Sequence, residues 1–131
     1  MEANISTEEM LANLFRILGQ AVRIQILLVI GEGSACVCHL EAFLGLRQAF
    51  ISQHLMVLRE AGLVETQREG RNIYYRLAQP DLLDLVRAAA RFSSLDLVDA
   101  GISPVATCPC PHCNPDKTAI VCSRPEELAE D

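Results

Sequence analysis

This chain of 131 residues has no run of about 18 consecutive apolar residues, the length a membrane-spanning helix needs. Its start, Met1-Glu2-Ala3-Asn4, lacks the basic-then-apolar profile of a secretion signal, so the expectation is a cytoplasmic protein without a membrane partner. No internal repeat is present, which excludes a repeat architecture. Proline is scarce before residue 104, where Pro80 stands alone, and then abundant, with Pro104, Pro109, Pro111, Pro115 and Pro125 in the tail. Helices can therefore run unbroken through the first hundred residues, while extended or turn structure is expected beyond. The length fits one domain of about 100 to 150 residues plus an extension, divided as 1–100 and a Cys/Pro-rich tail, 101–131.

What the chain does have is six cysteines in two groups: Cys36 and Cys38 around one valine, then Cys108, Cys110, Cys113 and Cys122 in the tail. In a reducing compartment closely spaced thiols stay reduced, which favours metal or redox chemistry over disulfide staples. Cys108-Pro109-Cys110-Pro111-His112-Cys113 gathers three thiols on a stiff segment that can bend around one ion, a density that packing does not explain. A structural zinc held by these thiols with His112 or Cys122 competes with a soft-metal site there.

Charge is unevenly placed. The chain is formally −6, yet residues 47–76 carry Arg47, Arg59, Arg68, Arg71 and Arg76 against Glu60, Glu65 and Glu69, a local +2. A basic island of this kind can engage phosphates, because binding follows the local field as well as the total.

Ser6-Thr7-Glu8-Glu9 reads as a capping box that opens a first helix, with Met10, Leu11, Leu14, Phe15 and Leu18 at helical spacing and Gly19 at its end. A second helix, 21–31, is apolar nearly all round and belongs in the core. Residues 36–44 form a short helical segment closed by Gly45, and 48–61 an amphipathic helix stopped by Gly62. Residues 63–67 and 73–77 read as a β-hairpin turning around Glu69-Gly70-Arg71-Asn72. A long helix from 81 to 98 follows, apolar on enough faces to pair with a copy of itself.

Two helices in series followed by a basic hairpin resemble a winged helix-turn-helix. Residues 11–98 resemble the ArsR/SmtB family of bacterial metal-responsive repressors. The resemblance rests on Leu14-Phe15-Arg16-Ile17-Leu18-Gly19 with Arg23-Ile24-Gln25-Ile26-Leu27, on the run from Ile51-Ser52-Gln53-His54-Leu55 to Gly62-Leu63-Val64, and on Arg68 to Leu77. It implies a mainly α fold with a small β-hairpin, dimerising through its terminal helices. It also implies that Gln48, Ser52, Gln53 and His54 face the major groove and that Arg68 and Arg71 meet DNA from the wing. The residue types suit those roles: Gln pairs with adenine, Ser reaches bases or phosphates, and Arg contacts phosphate. For His54, packing is an equal alternative. One departure is Arg47, where the family commonly has a Ser or Thr that caps the reading helix.

Ala35-Cys36-Val37-Cys38-His39-Leu40 is similar to the family's Cys-x-Cys inducer motif, which implies that Cys36 and Cys38 are metal ligands. Residues two apart lie about 200° apart on a regular helix, so shared chelation requires the helix start to distort. Residues 81–98 contain no histidine, which argues against the zinc or nickel sites that relatives build on their last helix. Thiolates prefer soft ions: arsenite or antimonite first, cadmium or lead next.

The expectation is a homodimeric repressor of operator DNA, neither an enzyme nor a binder of a small-molecule substrate, released when such an ion binds Cys36, Cys38 and the tail thiols Cys108, Cys110 and Cys113. A thiol-redox or persulfide sensor using a reversible disulfide is the alternative. A CxxC enzyme on Cys110-Pro111-His112-Cys113 is disfavoured, because that motif normally opens a helix in an α/β setting.

Overall fold

The computed structural model describes residues 5–97. Helix α1 (Thr7–Leu18) opens with the expected capping box: the Glu9 N–H donates to Ser6 Oγ at 3.1 Å and the Ser6 N–H to Glu9 Oε1 at 3.3 Å. The chain then bends by 83° into α2 (Ala21–Ile30). Ile26, Leu27, Val29 and Ile30 of α2 are buried, as a helix apolar on nearly every side must be. Around α2 pack Leu40 of α3 (Val37–Leu44), Ile51, Leu55 and Leu58 of α4 (Gln48–Glu60), and Leu82 and Val86 of α5 (Asp81–Phe92).

Three strands complete the fold: β1 (Ser34–Cys36), β2 (Val64–Glu69) and β3 (Asn72–Leu77), antiparallel in the order β1-β3-β2. The hairpin turns through Gly70 and Arg71, with Glu69 opposite Asn72 and Gly70 at φ 64°, the positive value that a twist-matching two-residue turn requires at its first position.

Two expectations are corrected. Cys36 is not helical: it ends β1, opposite Tyr74, and is the N-cap of α3 with an extended backbone, φ −85° and ψ 168°. The strand exists because Ser34, Ala35 and Cys36 pair with Arg76, Tyr75 and Tyr74, partners far along the chain. Helix α5 ends at Phe92, not at 98. Ser94 takes a left-handed φ of 58°, its N–H reaching the Arg91 carbonyl at 3.0 Å while the Leu95 N–H reaches Ala90 at 2.8 Å, a Schellman ending.

α1 and α5 leave apolar side chains exposed, among them Met10, Leu11, Phe15 and Phe92, and Leu95 just beyond α5 is exposed too. A groove of about 320 Å³ runs between them, lined in part by Phe15, Leu18, Ile24, Leu85 and Ala89. Among the described residues no single helix is long and apolar enough to cross a membrane.

Candidate nucleic-acid interface

Three residues, Gly45-Leu46-Arg47, join α3 to α4. Gly45 caps α3 in the left-handed region (φ 69°), donating its N–H to the Glu41 carbonyl at 2.9 Å, and so turns the chain sharply into α4. Arg47 is the N-cap of α4, exposed and extended, and no side chain caps the helix there. A helix start without a side-chain cap, next to an exposed arginine, is chemistry that suits a phosphate.

Burial divides α4 into faces. Ile51, His54, Leu55 and Leu58 turn inward, while Ala49, Phe50, Gln53 and Met56 are exposed. Of the residues expected to read DNA, Gln53 lies at the centre of the outward stripe. Gln48 and Ser52 flank it, half-buried, with Ser52 Oγ donating to the Gln48 carbonyl at 2.8 Å, so its proton is already committed to the helix.

His54 departs from the groove-facing expectation and takes the packing alternative. It is only 9% exposed, and its Nδ1 accepts from Arg23 Nε at 3.1 Å. Arg23 also donates through Nη1 to the Ile17 carbonyl at 2.9 Å, so one guanidinium ties the end of α1 to α4. Burial first, and the Arg23 charge second, hold the imidazole below its usual pKa. Neutral His54 is the form that can accept this bond. Ala49, Phe50 and Met56 are apolar yet exposed, so apolar character alone does not place a residue of α4 in the core. They fall outside the helical spacing of the buried stripe Ile51-His54-Leu55-Leu58.

Arg68 and Arg71 flank the hairpin tip and are exposed. Arg76, further down β3, is paired with Glu65 at 2.9 Å across the sheet.

The thiol pair lies at the start of α3, the helix before α4. Cys36 is buried and its Sγ accepts from the His39 N–H at 3.4 Å, capping α3; Cys38 is half-buried one residue into the helix. With Cys36 outside the helix, the 200° separation expected of two helical residues does not apply. His39 is buried and stacks on Phe43, ring centroids 6.2 Å apart. No group of three or more metal-ligating side chains occurs among the described residues. Cys108, Cys110, Cys113, Cys122 and His112, with the tail expected over 101–131, lie outside them.

Helix, three-residue turn, second helix with an outward stripe, then a basic wing: this is a winged helix-turn-helix. The chain belongs to the ArsR family, its residues 21–66 matching that group of bacterial regulatory proteins. Biofilm growth-associated repressors of Agrobacterium fabrum and Xylella fastidiosa are each 42% identical over 77 residues, covering 59% of this chain and 66% and 68% of theirs. The arsenical resistance operon repressor of Escherichia coli is 42% identical over 66 residues, 50% of this chain and 56% of that protein. The matched stretch thus spans about two thirds or less of these relatives. A homodimeric winged helix-turn-helix domain from Mycobacterium bovis superposes with a TM-score of 0.61 at 26% identity, covering 72% of this chain and 91% of that one.

Proposed function

We propose that the protein is a homodimeric transcriptional repressor that holds operator DNA through α4 and the wing, and that a soft metal or metalloid ion releases it by binding Cys36 and Cys38 with tail thiols from Cys108, Cys110 and Cys113. Arsenite or antimonite is the first choice of inducer and cadmium or lead the second. The tail thiols alternatively hold a zinc ion of their own. Relatives named as repressors, one of them of arsenical resistance, support the reading, as does the homodimeric M. bovis neighbour.

The observation that carries it is the position of Cys36. This residue caps α3, which leads through Gly45-Leu46-Arg47 into α4, and it pairs with Tyr74 on β3, which leads to the wing tip. An ion that takes the Cys36 sulfur competes with the His39 N–H and strains both elements that meet DNA. A hundredfold release requires about 2.7 kcal/mol of coupling, inside the usual range of roughly 1 to 3.

The test is fluorescence anisotropy of the full chain on a duplex selected from a random pool, titrated with arsenite, antimonite, cadmium and lead. At least one ion should weaken binding about a hundredfold, and Cys36→Ser or Cys38→Ser should abolish the response. The metal reading fails if no ion acts or if both variants respond like the parent. Release by oxidant alone, resistant to chelator and reversed by dithiothreitol, would put the redox alternative in its place.

A further inference from the structure

The outward stripe of α4 is unusually apolar for a helix that meets a polyanion. Phe50 is 42% exposed and Met56 46%, with Ala49 and Gln53 between them in the stripe. Phe50 keeps over two fifths of its surface in solvent. The ring is nonetheless held: it stands edge-on to His54, centroids 4.8 Å apart and planes at 83°, and His54 is itself fixed by Arg23. A held apolar side chain loses little freedom on contact, which suits recognition.

The surroundings identify the occupant. Arg47 stands exposed at the start of α4, Arg59 at its end, and Arg68 and Arg71 at the wing, outnumbering the exposed Glu60 and Glu69 beside them, so the reading unit that carries the apolar patch has a net cationic fringe. A fringe of that sign fits a phosphate backbone. Among base edges in the major groove, the apolar feature is the C5-methyl of thymine, which Ala and Phe side chains contact well. Residues in the first turns of a reading helix are the ones that reach base edges, and Ala49, Phe50 and Gln53 lie in the first two turns of α4.

We propose that Phe50, with Ala49 beside it, reads the C5-methyl of a thymine in each operator half-site, next to an adenine paired by Gln53. This rests on the DNA-binding reading above and adds the base that the apolar patch selects. Sequence preference then comes from a methyl contact as well as from hydrogen bonds, while the arginines supply affinity without preference.

The test replaces thymine by uracil, which deletes only the methyl group. Full-length protein first selects duplexes from a random pool; each thymine of the selected half-site is then changed singly to uracil and affinity is measured by anisotropy. One thymine per half-site should be sensitive, by about fourfold, the equivalent of one buried methylene, and by about fifteenfold when both half-sites are changed. Phe50→Ala should lose most of the difference between the thymine and uracil duplexes, and Phe50→Leu should keep more of it. The unmodified protein provides the decisive comparison, so the result does not depend on how the variants fold. The inference is overturned if no thymine is sensitive, as when Phe50 instead receives a protein partner, or if Phe50→Ala retains the full discrimination. If no duplex is selected at all, the DNA-binding reading fails and this one with it.

Discussion

Helix α2 and the pair α1 and α5 are all rich in apolar residues, but they place them differently. On α2 they close against the same chain, with Ile26, Leu27 and Ile30 fully buried. On α1 and α5 much of the apolar surface faces out, Phe15 at 53% exposed and Phe92 at 92%. The difference separates two properties: one chain by itself satisfies the helix that holds the fold, whereas the apolar faces of α1 and α5 are the surface on which the proposed homodimer would close.

Substitutions should break that comparison cleanly. The largest effect is expected for Phe15→Ala on self-association. In a two-fold dimer the change is made twice, at about 2 kcal/mol each, so dimerisation should weaken about a thousandfold by analytical ultracentrifugation. The variant's melting as a dilute monomer should hardly move. An unchanged dimer would remove α1 from the interface. Leu27→Ala should do the reverse, costing about 3 kcal/mol in urea unfolding, because it opens a cavity in a core that closes around α2. A loss under about 1 kcal/mol would contradict that placement.

The smallest effect tests the contact that bridges the two regions, Arg23 between the Ile17 carbonyl and His54. His54 is held below its ordinary value in the folded chain, so on acidification the unfolded chain takes up its proton first. This contribution is complete above the unfolded value of about 6.5 and is lost as the pH falls below it toward the lowered folded value. Urea melts at about pH 7.5 and about pH 5.5 should show the decline, and His54→Gln should lessen it. An equal decline in both proteins would clear His54 of any part in it.

Much of this was legible in the sequence. The Ser6 capping box, the apolar α2, the Gly45 turn and the hairpin around Gly70 are local signals, and the structure repeats them. What was not legible depends on distant partners. Three residues of β1 have no periodicity of their own and become a strand only through Tyr74, Tyr75 and Arg76. The inward turn of His54 was readable, since Ile51, His54, Leu55 and Leu58 follow helical spacing, but its partner Arg23 was not. At α5 the apolar pattern suggested continuation to residue 98, and the pair Ser93-Ser94 ended the helix instead.

The cap at residue 36 also governs how thiol substitutions there are to be interpreted. Serine is among the best helix caps, so Cys36→Ser removes the soft ligand while keeping an acceptor for the His39 N–H. Alanine removes both, and any loss of DNA binding it causes would mix a missing ligand with a frayed α3. At Cys38, inside the helix, the two replacements should be nearly equivalent. A difference between serine and alanine confined to position 36 would therefore measure how far the orientation of the reading helix depends on one sulfur-capped turn.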